Sequence, residues 1–326
     1  MIRIDDLTVE CANGTALNKL SLLIEGEGIF GILAGRGAGK TTLARAICGI
    51  CAADAGSIKI NDEKMTTGNT SLKKKVRFVP AQLKISDLET VYDYLMFVGS
   101  AIGVPSEKKY KQIDQAIELL ELVDVKDSCF CTLSADDRCR LSIAASLIGN
   151  PAVIVIDCAL DHIPESERED LYELLMMLAA KKEIVLLSSK PAVVKKLCTG
   201  VAVMCDGAIA LSDKICEIER KINATCQTYV TVRGEYDEFK ETILGLDGVV
   251  SARLEVKSNK EGLCTVLVEH VHDELIKDRL FKALSEGGVP LLSSKTVTLS
   301  LEDVYYSFAA KDEKRFAANK GKGGRA

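Results

Sequence analysis

The chain reads as two successive parts: a layered α/β domain on a mostly parallel sheet, then a smaller α+β domain. Three observations predict this. The apolar run Ile29–Leu33 leads through a glycine-rich turn into a helix-forming segment. Short β-type runs then alternate with segments of helical period as far as about residue 218. From there the pattern restarts as strand, helix, two strands, helix, strand. The 326 residues suit two domains better than one, and an apolar content of 47% supplies cores for both.

In the first part, residues 2–10 and 20–24 are expected to be strands leading to the buried strand Ile29–Leu33. Thr41–Cys48 is the first helix, Gly56–Asn61 a short strand, and Val76–Val79 another, ended by Pro80. Residues 88–150 turn helical: Ile113, Ala116, Ile117, Leu120 and Val123 recur at helical spacing, as do Leu141, Ile143, Ala144, Leu147 and Ile148. Ala152–Asp157 is a buried parallel-type strand ending in an acid. Ser166 and Glu169 form a capping box for a helix whose inner face is Leu171, Leu174, Leu175 and Leu178. Glu183–Ser188 is the next strand, and Val201–Met204 and Ala208–Leu211 flank an Asp206-Gly207 hairpin turn.

In the second part, strands are expected at Thr228–Val232, Val249–Val256, Leu263–Glu269 and Leu291–Leu299, with a polar turn at Ser258–Gly262. Tyr236–Leu244 is one helix; a second, capped by Asp273 and carrying Ile276, Leu280 and Leu284, stops at Gly287-Gly288. The order β-α-β-β-α-β is the ferredoxin-like split motif. Residues 219–310 hold no cluster of catalytic residue types, which points to an accessory or dimerisation module. Residues 311–326 carry six basic and two acidic residues among glycines and read as a disordered basic tail, solubilising or weakly attracted to anionic lipid.

A net charge of −5 argues against nucleic acid as the main partner. No apolar run approaches the roughly 20 residues of a membrane helix, and the first residues lack a signal-peptide core, so a soluble intracellular protein is expected. Twelve cysteines are scattered through apparent strands and helices, as small buried hydrophobes of a reducing compartment would be; Cys48 and Cys51 have CxxC spacing but no second pair.

The chemistry centres on Ala34–Thr42, a phosphate-binding loop of the form [AG]-x-x-x-x-G-K-[ST] in strand–loop–helix context. Gly35, Gly37 and Gly39, with Arg36 and Ala38 between them, let successive backbone N–H groups turn inward, and the helix N-terminus adds its partial positive charge. Lys40 is placed for the β- and γ-phosphates and the Thr41 hydroxyl for Mg²⁺. Asp157 falls at the same carboxyl edge of the sheet.

The loop, the helical insertion and the strand ending at Asp157 together resemble the ATP-binding cassette (ABC) ATPases over residues 1 to about 215, and within them the ATPase subunits of ABC-2 type exporters. The second module fits that group too, down to Ser300-Leu-Glu-Asp-Val-Tyr305, similar to its SLEDVF stretch. The resemblance implies Mg-ATP as ligand, with Thr42 near the α-phosphate and Asp157 as the Walker B magnesium ligand. It also implies several losses. Cys158 stands where the family has its general-base glutamate, and Lys190 where it has the switch histidine. The signature LSGGQ becomes Leu133-Ser134-Ala135-Asp136-Asp137, in which two carboxylates facing a triphosphate would each repel it by about 1 kcal/mol at ~4 Å in water. Ser134 with Asp137 equally makes a capping box at a helix start. Cys11 replaces the adenine-stacking aromatic, and Ala81 takes the magnesium-contacting glutamine's place, with Gln82 next to it. Residues 82–103 would form the groove that meets a membrane subunit.

The reading that follows is an ATP-binding subunit with weak or absent hydrolysis, peripheral at the inner face of the cell membrane. It would pair with a separate membrane transporter subunit and dimerise through the ATP-binding domain. Two alternatives remain: a slow but active transport ATPase in which Gln82 or Asp161 partly compensates, and a non-catalytic scaffold.

Overall fold

The computed structural model describes residues 1–308 apart from 12–13, 27, 166–167, 223–224, 259–261, 272–274, 298–299 and 307. The expected capping residues Ser166 and Asp273, the middle of the 258–262 turn and the basic tail lie outside the described residues. The chain divides into two compact units: Met1–Ile215 with the described residues from Tyr305 on, and Cys216–Val304. The divisions expected near residues 218 and 310 therefore fall a few residues earlier.

The first unit runs β1 (Ile2–Cys11), β2 (Gly14–Ile24), β3 (Ile29–Ala34), α1 (Lys40–Ile47), β4 (Ala55–Ile60), β5 (Glu63–Lys64), α2 (Thr70–Lys75) and β6 (Val76–Val79). It continues with α3 (Val91–Ile102), α4 (Ser106–Leu119), α5 (Ala135–Leu147), β7 (Val153–Asp157), α6 (Glu169–Ala179), β8 (Glu183–Ser188), α7 (Pro191–Leu197), β9 (Gly200–Cys205) and β10 (Ala208–Lys214). One sheet is antiparallel, in the order β2-β1-β4-β5. The other has the order β10-β9-β3-β8-β7-β6 and is parallel throughout except at β10. Their apolar faces share one core with α1, which buries Leu43, Ala44, Ala46 and Ile47 there. The period-2 apolar pattern puts Ile2, Ile4, Leu7 and Val9 of β1 into this core.

Two local readings change. β2 begins at Gly14 rather than near residue 20: its first half buries only Leu17, with Gly14, Thr15, Asn18 and Lys19 exposed, so the alternation seen from Leu20 to Ile24 is absent there, and three register shifts interrupt its pairing with β1. Val123 is 52% exposed, and Leu122 takes the buried place. The helix stops at Leu119 and Glu121 turns the chain with φ 56°, so the 3.6-residue period no longer carries the face forward. The other predicted faces hold. Ile113, Ala116, Ile117 and Leu120 are buried, as are Leu171, Leu174, Leu175 and Leu178 of α6, which starts at Glu169. Asp206 and Gly207 both take positive φ in the β9–β10 hairpin.

The second unit comprises most of α8 (Ile215–Ile222), then β11 (Thr225–Arg233), α9 (Tyr236–Leu244), β12 (Val249–Ser258), β13 (Leu263–Val271), α10 (Ile276–Glu286) and β14 (Leu291–Val297). Its sheet is antiparallel, in the order β12-β13-β11-β14. One face of that sheet, through Val230, Val232, Val266 and Val268, packs on Phe239, Ile243, Ile276, Leu280 and Leu284 of the two helices. Among the described residues no helix is long and apolar enough to cross a membrane.

Phe239 is the largest side chain wholly inside this second core, so its loss leaves a cavity that a four-stranded sheet and two helices cannot close. Phe239→Ala is expected to destabilise the second unit by about 3–5 kcal/mol. Urea unfolding should then show a transition at lower denaturant that the first unit does not share.

Candidate functional site

The phosphate-loop segment follows β3 directly, and its last glycine caps α1. Gly39 has φ 99°, a conformation open to glycine and costly for other residues. A Cβ there would also lie 2.4 Å from the Ala16 carbonyl oxygen, so the loop is pressed against β2. No side chain caps α1, which leaves its first N–H groups to a ligand. Lys40 is only 9% exposed; its Nζ donates to the carbonyl oxygens of Ala34 at 2.8 Å and Gly35 at 2.7 Å. The lysine thus holds the loop's own backbone in the curl into which phosphate would fit.

Around this loop lies a cleft of about 610 Å³. Arg36, Gly37, Gly39, Lys40, Thr41 and Thr42 line it from one side, and Asp157, Cys158 and Asp161 from the other. Gly35 and Ala38 belong to the loop backbone without lining the cleft. The strands explain the meeting. β3 and β7 both run parallel to β8, so the residues after Ala34 and the carboxylate of Asp157 emerge at the same sheet edge.

Asp157 is 2% exposed, and its Oδ1 has no hydrogen-bond partner among the described residues. A buried carboxylate oxygen left unsatisfied beside a phosphate loop suits a cation ligand, and with the Thr41 hydroxyl it forms an oxygen donor set of the kind Mg²⁺ prefers. The residues present therefore fit Mg²⁺: Thr41 and Asp157 would hold it. The ion would neutralise phosphate charge there.

Cys158 takes a left-handed conformation with φ 53° at the end of β7. Burial pushes its thiol far above the ordinary range; Asp161, Asp157 and a hydrogen bond to Asp157 push it further, and Lys40 offsets this only in part. The group facing the cleft is a neutral thiol, with no capacity to take a proton from water near neutral pH. Asp161 also faces the cleft, but its carboxylate is engaged at both oxygens. Oδ1 accepts from the Ser188 hydroxyl; Oδ2 accepts from the Ser189 N–H at 2.9 Å and the Ser189 hydroxyl at 2.7 Å.

Of the remaining predicted positions, Lys190, Gln82 and Cys11 lie outside the cleft lining. Lys190 begins α7 with its own N–H bonded to Ser188 Oγ, and its neighbour Ser189 is the residue that reaches the cleft. Ala81 lines the cleft while Gln82 lines an adjoining cavity. Cys11 is exposed at the end of β1. His162 lines both cavities and was not singled out by sequence reasoning; its place at the end of the short turn after the strand-end Asp157 was the available signal.

The signature-like stretch has turned inward. Ser134 accepts from the Asp137 N–H and donates to its carboxylate, which also receives the Ser134 N–H: the predicted capping box is present. Asp136 does not project as a free charge, as the repulsion argument assumes. Its Oδ2 meets Nε of buried Arg140 at 2.6 Å, and Arg140 reaches on to Glu121 at 2.7 Å. Neither Ala135, Asp136 nor Asp137 lines the phosphate-loop cleft.

Fold and site together define a phosphate-loop nucleotide-binding protein of cassette architecture. The model of the ABC transporter family matches residues 17–160. The methionine import ATP-binding protein MetN of Geobacillus kaustophilus is 30% identical over 230 residues, 68% of this chain and 67% of that protein. MetN 3 of Shouchella clausii is 29% identical over 66% of this chain and 65% of its own length. The chain belongs to the ABC transporter ATP-binding family, whose members bind Mg-ATP, and it spans about two thirds of these relatives. Among solved structures, CbiO1 from Clostridium perfringens, part of the CbiONQ transporter complex, shares the fold at TM-score 0.59 and 22% identity, over 68% of this chain and 94% of that one. A bacterial Atm1-family exporter with ATP bound reaches the same TM-score at 18% identity, over 68% of this chain and 40% of its own.

Two outcomes follow. Lys40→Ala removes the cation that shapes the loop and would meet phosphate, and calorimetric titration should show Mg-ATP affinity falling at least about tenfold, the scale of one charged hydrogen bond. Alkylation at mildly alkaline pH, mapped by mass spectrometry, should label exposed Cys11, Cys131 and Cys216 while Cys158 stays unmodified, because burial keeps its thiol protonated.

Proposed function

We propose that this chain is the ATP-binding subunit of a membrane transporter of ABC-2 exporter type, one that loads Mg-ATP and turns it over slowly or not at all. The carrying observation is the pair Asp157–Cys158: a carboxylate with a free buried oxygen for Mg²⁺, followed by a neutral thiol where a water-activating base would stand. Loss of a general base costs about 10²–10⁴ in rate. The replacement of both signature glycines supports the same reading: the Asp136 and Asp137 side chains are engaged within this chain, by Arg140 and Ser134.

The exporter assignment rests on the ferredoxin-like reading of the second unit and on Ser300–Tyr305, where Ser300 and Asp303 cap each other. The second unit serves as an accessory or dimerisation module. The transporter's membrane-spanning chain is a separate partner, and the subunit sits at the inner face of the membrane. The MetN relatives support import instead; the cassette itself serves either direction, and the substrate is set by the membrane partner. Slow active turnover is a second reading, favoured by Asp161 lying in the cleft.

Trace radiolabelled ATP mixed with excess protein and Mg²⁺, then trapped and identified, decides between clamp and ATPase. The expected result is bound label that remains ATP for many minutes, together with heat protection that Lys40→Ala abolishes. Conversion of bound label to ADP would sink the clamp reading and leave Asp161 as the base to mutate.

A further inference from the structure

β8 lies between β3 and β7 in the parallel sheet. Its register puts Ser188 beside Leu33, just before the phosphate loop, and Leu187 beside Asp157. The next residue, Ser189, therefore leaves the sheet between the loop that would hold phosphate and the carboxylate that would hold Mg²⁺. Strand alternation separates the two serines: Ser188 is fully buried, while Ser189 is half-buried and lines the cleft. The Lys190 N–H then turns back to Ser188 Oγ at 3.0 Å, and the chain passes into α7.

The Ser189 hydroxyl donates to Asp161 Oδ2 at 2.7 Å, and Asp161 lines the same cleft. That carboxylate oxygen has a second donor, the Ser189 N–H at 2.9 Å, and Oδ1 has the Ser188 hydroxyl. Withdrawal of the Ser189 hydroxyl would thus leave each oxygen of Asp161 with one donor, so this bond is exchanged at little cost. A serine hydroxyl turns freely about its C–O and side-chain bonds and carries one proton to give. On the wall facing the phosphate loop, Asp157 and Asp161 are acceptors and Cys158 is a weak donor. Ser189 is the hydroxyl donor placed at the end of the strand between loop and acid.

We propose that Ser189 reads the terminal phosphate of a nucleoside triphosphate. Its hydroxyl, bonded here to Asp161, turns to donate to a γ-phosphate oxygen, and Asp161 keeps the Ser189 N–H and the Ser188 hydroxyl. The inference rests on the reading of this cleft as a Mg-ATP site. It assigns the γ-phosphate contact to Ser189 in place of its neighbour Lys190, which is not among the residues that line the cleft.

The test is calorimetric titration of the full-length chain with Mg-ATP and with Mg-ADP. Ser189→Ala should weaken Mg-ATP by about tenfold, the scale of one hydrogen bond to a charged group, and leave Mg-ADP within about twofold. Retained ADP binding also shows that the variant is folded. Lys190→Ala should keep the wild-type ratio of ATP to ADP affinity within about twofold. The double variant Ser189→Ala with Asp161→Asn should still bind ATP weakly; recovery there would mean that a freed Asp161 charge, and not a lost contact, sets the difference. An unchanged ratio in Ser189→Ala, or an equal loss in Lys190→Ala, would overturn the assignment of Ser189 alone. Failure of the wild type to bind Mg-ATP at all would instead sink the reading of the cleft on which it rests.

Discussion

The first unit is arranged around one close approach: the backbone at Gly39 lies against the Ala16 carbonyl with no room for a side chain. That contact fixes where the phosphate loop turns, and hence where α1 starts and which way its open N–H groups point. The parallel pairing of β3, β8 and β7 then delivers Asp157 to the same edge. Once these backbone facts are set, Lys40 has two carbonyls to hold, and Asp157 is left with an oxygen that no other atom of the described residues bonds. The site's capacity for a metal–phosphate ligand is a by-product of backbone geometry; side-chain chemistry only completes it.

Around that cradle several neighbouring positions serve structural roles. Cys158 fills a buried place as a small apolar side chain would, and its chemistry is silenced by burial. Asp161 secures the end of β8 through three donors. Ser134 and Asp137 satisfy each other at the start of α5. In each case a local hydrogen-bonding need or packing need is met by a residue type that hydrolysis chemistry would not choose. Binding and turnover can part company in this way because they draw on different atoms, backbone amides and one carboxylate for the first, a base and a facing loop for the second.

Much of this was legible in the sequence where the determinants are local. The strand–loop–helix pattern, the apolar run ending in Asp157, the helix faces of α4 and α6 and the Ser134–Asp137 cap all depend on residues within a few positions of one another. The failures were of two kinds. Val123 was misplaced because periodicity has no way to register the left-handed turn at Glu121. Asp136 was misread because the repulsion argument treated it as a free charge, although Arg140 stands one helical turn further on. His162 was overlooked because its place in the cleft depends on the sheet edge that the distant phosphate loop shares, and a single sequence carries least information about such tertiary placement.

The Asp136–Arg140–Glu121 chain also bears on how this cassette could change over time. Arg140 is buried and makes its closest contact with Asp136. A glycine at position 136 would take away one of Arg140's two carboxylate partners and leave it Glu121 and the Leu120 carbonyl, and breaking a buried pair by removing one partner costs up to about 3–5 kcal/mol. That is a large share of the ~5–15 kcal/mol by which ordinary proteins are stable. The residue at 136 is therefore tied to the one at 140, so that a smaller side chain at 136 is tolerated best where Arg140 changes together with it. The start of α5 thus serves as a support of the helical layer behind it.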